Sequence, residues 1–146
     1  MMLMFLFLVQ TNSGLEASLT QYQETAITSL SDIGSHAQMT QEYIYQINEG
    51  RGGDEDERED KINARRFELE DRIQAKLSKL DELQQDVMEA LEGKDKALAE
   101  MEKLHASVTS GMERLKSSQK PQADAEKAMD RVQQGIKKVM SLLNEE

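Results

Sequence analysis

The residues of this chain whose types could hold a metal or move a proton are two histidines, His36 and His105, and a few acidic clusters. A zinc site built on a helix takes His, Cys or carboxylate ligands three or four residues apart. Neither histidine is followed by such a residue at those steps, and the two lie on different helical stretches. There is no cysteine, so disulfides, thiolate zinc sites and cysteine nucleophiles are excluded. Cysteine-free composition does not fix the compartment.

The acidic run DEDERED at residues 54–60 invites a calcium reading. The calcium loop D-x-[DN]-x-[DN]-G needs a glycine at its turn position, and none is there. The run reads instead as a solvated helix start, because negative charge favours a helix N-terminus. Glu68, Glu70 and Asp71 read as a solvated face. Gly50, Gly52 and Gly53 form a glycine-rich loop, but no strand precedes them and no GK[ST] follows, so phosphate cradling lacks its context. No acid–base pair is in view, and neither an enzyme nor a cofactor is expected.

Composition points the same way. The chain has 146 residues, a formal net charge of -10, 4% aromatics, no Trp and one Pro. Nucleic-acid and anionic-membrane surfaces need clustered Lys and Arg, so neither partner fits an excess of acid. Large side chains are too few for an ordinary globular core. Long helices, each burying a narrow stripe, suit this chain better. The nine methionines fall at residues 1, 2 and 4 or mostly on those stripes, where they fill core space.

The elements that must position these residues are helices throughout. The fold class expected is all-α, with long coiled-coil helices forming a hairpin or bundle. Residues 1–49 combine an apolar segment with an amphipathic helix nearly free of charge. Residues 50–60 form a Gly/acidic linker, residues 61–118 one long charged coiled-coil helix, and residues 119–146 a C-terminal amphipathic helix. In the first, Leu15, Leu19, Tyr22, Ala26, Leu30, Ile33, Ala37, Ile44 and Ile47 fall at steps of three and four, with Thr40 filling the one gap. Gly34 weakens this helix by about 1 kcal/mol relative to Ala.

In the second, Ile62, Leu69, Ile73, Leu77, Leu80, Val87, Leu91, Leu98, Met101, Val108 and Leu115 keep a near-heptad rhythm, widened by Leu83, Leu104 and Met112. Gly93 and Gly111 read as tolerated interruptions or bends. In the last, Ala125, Met129, Val132, Ile136, Val139 and Leu143 step four and three alternately, and Pro121 suits a first helical turn. The short SSQKP stretch at residues 117–121 fits an antiparallel hairpin, with a kinked continuous helix as the competing geometry. Thr40 and Lys94, polar at stripe positions, are expected to fix register.

Residues 1–9, MMLMFLFLV, are too short to span a bilayer, which takes roughly 20 apolar residues. Three readings stand: a cleaved signal without a basic start, a helix start buried in a partner, or a natural chain that is longer. Leu3, Phe5, Leu6, Phe7 and Leu8 form the apolar tip.

In the pattern of these segments the chain resembles the type III secretion translocation-filament proteins of the EspA/SseB kind. LMFLFLVQ at residues 3–10 is similar to their apolar segment, TNSGLEASLTQYQETAITSL at residues 11–30 to the polar helix that follows, YIYQINEG at residues 43–50 to that helix's end, and residues 127–143 to their terminal helix. The long charged middle departs from the family, as does the lack of a polar leader. The resemblance implies export, self-assembly outside the cell, and a chaperone or secretion-system partner that covers the apolar helices. The function expected is a secreted, self-assembling structural subunit. The alternatives are an intracellular coiled-coil adaptor or chaperone-like dimer in the cytoplasm, and a membrane-active translocator that makes contact through its N-terminal segment.

Overall fold

The computed structural model describes residues 2–50 and 54–145, with side chains from residue 14 onward. The expected tip of Leu3, Phe5, Leu6, Phe7 and Leu8 therefore lies outside the side chains described. Four helices follow one another: α1 (Met2–Glu49), α2 (Glu55–Ala90), α3 (Asp95–Arg114) and α4 (Pro121–Glu145), with one 3-10 turn, Leu115–Ser117, after α3. The all-α bundle is as expected, and no strand occurs among the described residues.

Contacts between the helices fix their directions. Asp32 of α1 meets Arg72 and Lys76 of α2, and Leu15 shares a cavity wall with Ala90, while Ile44 shares one with Ile62. As α1 ascends, its α2 partners descend, so the pair is antiparallel. Gly34 faces Ala125, while Leu15 neighbours Leu143, so α4 also runs antiparallel to α1. Gly111 faces Ala128 and Gly135 faces Leu104, which makes α3 and α4 an antiparallel hairpin about the loop before Pro121. The result is an up-down-up-down bundle. In it α1 packs along both α2 and α4, α3 packs along α4, and α2 and α3 stand further apart.

The single helix expected over residues 61–118 is corrected here. The chain leaves the helix at Leu91, turns, and re-enters at Asp95. The Leu91 amide donates to the Val87 carbonyl, the Lys94 amide donates to the Leu91 carbonyl at 2.8 Å, and Gly93 takes φ of 86°. A left-handed residue just past a helix end closes it cheaply only when it is glycine. Gly93 is therefore the reversal point and not a tolerated interruption. Lys94, expected on a stripe, is instead the half-buried residue that opens α3. The expected linker is also shorter than residues 50–60: α2 begins at Glu55, inside the acidic run. The Asp54 side chain accepts from the Asp56 amide, and Glu55, Asp56 and Glu57 fill the first turn.

Gly34 has a packing role. A Cβ there would sit 2.7 Å from the Ala125 Cβ and 3.4 Å from the Pro121 carbonyl oxygen. The absent side chain lets α1 and α4 approach backbone to backbone. That contact outweighs the propensity cost of glycine in a helix. A Gly34→Val substitution should lower stability by about 1–3 kcal/mol through overpacking, measured by urea unfolding. Gly14, where an added Cβ meets nothing within 4 Å, is the control. Gly14→Ala should raise stability by roughly 0.5–1 kcal/mol.

Candidate functional site

Most of the stripe residues are consumed inside the chain. Leu15, Leu19, Tyr22, Ala26, Leu30 and Ile33 of α1 are buried, as are Leu69, Ile73, Leu77, Leu80, Val87 and Leu91 around α2. Met101, Val108 and Leu115, then Val132, Ile136 and Val139, complete the same core. Ile44, Ile47, Leu98, Met129 and Leu143 are only half-buried. Ala97 and Ala128, which the stripes above do not include, are buried as well. Thr40 is buried, and its hydroxyl donates to the His36 carbonyl at 2.7 Å, so its polar atom is satisfied within α1.

One polar chain crosses this core. The Tyr22 hydroxyl on α1 lies 2.8 Å from Nδ1 of His105 on α3, whose Nε2 lies 2.7 Å from Oδ1 of Asp81 on α2. The Tyr22 and His105 rings meet edge to face, with centroids 5.8 Å apart. In the neutral imidazole with its proton on Nε2, that N–H donates to the carboxylate and Nδ1 accepts from the phenol, so both ring nitrogens are satisfied. The order hydroxyl, imidazole, carboxylate is also that of an activated nucleophile.

Here the hydroxyl is in the wrong place for that work. Tyr22 is 0% exposed. Burial, followed by the negative charge of Asp81, pushes its ionisation well above the ordinary value of 10.0. A phenol sealed among aliphatic side chains meets no substrate. What the arrangement does is tie three helices to one register. Local spacing carries no sign of these partners of His105, which lie 83 and 24 residues away on other helices.

A second polar cluster sits at the surface between α1 and α2. Arg72 donates to Asp32 at 2.8 Å, Lys76 approaches the same carboxylate at 3.9 Å, and His36 at 3.6 Å. The Arg72 hydrogen bond, aided by the charges of Arg72, Lys76 and His36, holds the Asp32 carboxyl below its ordinary 3.8, against a smaller opposing effect of burial. Asp32 precedes His36 by four residues. This pair was legible in the sequence, in the direction opposite to the one read above. Among the described residues no three His, Asp or Glu side chains converge as metal ligands would.

The remaining feature is an arm. Near Gln41, whose amide side chain donates to the Ser118 carbonyl, α1 and α2 reach the turn between α3 and α4. At this junction lies a cavity of about 460 Å³ lined by Thr40, Gln41, Ile44, Arg66, Glu70 and Lys116, among others. Beyond it α1 and α2 have one another as neighbours, around Ile44, Asn48, Arg58 and Ile62. Arg65 stacks its guanidinium 4.6 Å from the Tyr43 ring centroid. Tyr45 is 66% exposed and Phe67 68% exposed, the two most exposed of the large apolar side chains described. The Nε of Arg58 is buried with no acceptor. Satisfaction of apolar and polar groups by the chain's own contacts is least complete on this arm.

Two outcomes test these assignments. Tyr22→Phe and His105→Leu should each cost about 1–3 kcal/mol, and the double variant should cost less than the two together, because one partner left alone is what carries the penalty. Strict additivity in urea unfolding would remove the bond from the account. Because the folded Asp32 has a lowered pKa, its contribution is fully present above 3.8 and is lost as pH falls through the lower folded value. The stability gap between the parent chain and Asp32→Asn should therefore be constant at neutral pH and narrow as the pH drops below that point.

No protein-family model matches the chain, and neither the curated proteins nor the solved structures yield a match.

Proposed function

We propose that this chain is a non-catalytic structural subunit that works through helix–helix contacts and self-assembles, in the manner that its resemblance to the type III secretion filament proteins implies. The observation that carries the reading is the arm. After the bundle has closed its own core, Tyr45 remains exposed on the two-helix projection and Phe67 at its base. Scattered single hydrophobics need no explanation, but two exposed aromatics in a chain with six are an invitation to a partner. The apolar sequence at residues 1–9 adds to the same surplus. The function of the core residues themselves shifts. Leu19 and Leu30 hold the monomer together, so Asp at either position would unfold the bundle and would not report on assembly.

A second reading has an observation of its own. A bundle that satisfies its seams within one chain is self-sufficient, which suits a soluble adaptor or chaperone-like protein of fixed stoichiometry. A membrane-active role through residues 1–9 is the third. No helix among the described residues is long and apolar enough to cross a membrane.

Size-exclusion chromatography with light scattering separates these readings. The proposal expects a mass that grows with protein concentration without a fixed end point, and Phe67→Ser with Tyr45→Ser should lower that mass without changing the helical signal. A single sharp mass at every concentration contradicts it and favours the adaptor. Liposome leakage that disappears on deletion of residues 1–9 would favour the membrane role.

A further inference from the structure

We propose that the α1–α2 arm of one copy docks on the α3–α4 face of a second copy of this chain, head to tail. The inference rests on the self-assembly reading and names the two surfaces that meet.

Charge selects them. Residues 54–60 at the start of α2 hold six acids and one Arg. Residues 1–93 as a whole hold 19 Asp and Glu against 8 Lys and Arg, whereas residues 94–146 hold 9 against 10. The net charge of -10 is therefore carried by the α1–α2 half. Two arms meeting tip to tip would set one acidic run against another, so a symmetric contact through this surface is disfavoured by like-charge repulsion. The complementary surface is on the other half. Between α3 and α4 runs a shallow groove of about 330 Å³ whose lining includes three bases, Lys103, Arg131 and Lys138, one acid, Glu100, and Leu104 and Gly135. Lys138 already bridges Glu100 at 3.6 Å, while Lys103 and Arg131 are exposed. Gly135 lets Leu104 pack tightly against α4 here: a Cβ there would lie 2.5 Å from Leu104 Cδ1.

The arm and the groove are different surfaces of the same chain. A contact between them leaves a free arm at one end of every pair and a free groove at the other. Such a heterologous contact propagates unless its rotation closes a ring. The arm supplies the apolar part through Tyr45 and Phe67, and the acidic run supplies orientation. Attraction of this kind acts between exposed charges, so it weakens with salt.

The test uses the full chain and paired charge reversals. One variant carries Glu59→Lys and Asp60→Lys on the arm, and the other carries Lys103→Glu and Arg131→Glu on the groove; all four positions are exposed. Far-UV circular dichroism first checks that each keeps the parental helical signal. In light scattering at low salt, the parent should grow in mass with concentration. Each variant alone should associate about tenfold more weakly or worse. An equimolar mixture should regain growth, because the reversed arm fits the reversed groove and the native arm of the second variant fits the native groove of the first. A parent that assembles alongside variants that assemble equally well overturns the docking surfaces and leaves self-assembly standing. Variants that lose assembly but are not rescued by mixing overturn the pairing of these two surfaces. A parent that stays monomeric at every concentration overturns both readings.

Discussion

The rest of the structure depends on the need to cover α1. Its described face of Leu15, Leu19, Tyr22, Ala26, Leu30 and Ile33 is almost entirely removed from water, and the whole helix has only five acids and no Lys or Arg to offer solvent. One neighbour covers part of such a helix, and two are needed for the stripe that this sequence writes. The chain provides α2 on one side and α4 on the other. The approach on the α4 side is set by Gly34 against Ala125, where only the Ala125 methyl stands between the backbones. Once α4 is held there, α3 follows as its hairpin partner, and the gap left between α2 and α3 is bridged by polar groups.

Those polar groups answer a problem that hydrophobic packing leaves open. Repetitive stripes of Leu, Ile and Val can slide by a turn and still bury apolar surface. Tyr22, His105 and Asp81 come from three helices and satisfy one another in a single register. A slip of one turn would strand a phenol and an imidazole in the core without partners, at about 1–3 kcal/mol for each. Asp32, clasped by Arg72 and Lys76, repeats the constraint at the surface between α1 and α2. The chemistry-bearing side chains thus serve geometry in this fold.

How much of this was legible in the sequence follows from the range of the interactions. The helical stripes were legible because they repeat within one element, and the positions read from spacing in α1, α2 and α4 are largely those that face the core. The hairpin at Pro121 and the acidic start of α2 were legible for the same local reason. The reversal at residues 91–94 was not. Leu91 and Leu98 sit seven residues apart on either side of it, so the heptad rhythm runs through the turn as though the helix continued. Gly93, which takes the left-handed φ at the turn, is a local mark of the break that the sequence carries. The polar chain through His105 was invisible because both partners are brought by the tertiary fold. The close approach at Gly34 was misread as weakness because propensity was weighed without a neighbour.

One chain closes its own core, so assembly between copies would use surfaces outside it. Equilibrium urea unfolding, followed by far-UV circular dichroism in high salt to screen contacts between copies, tests this most directly. A helix bundle completed within one molecule has a midpoint that does not move over about a hundredfold range of protein concentration, whereas a core shared between chains gains stability by mass action. The midpoint is expected to stay fixed. A midpoint that climbs steadily with concentration would contradict it and return the stripes on α1 and α2 to an intermolecular seam.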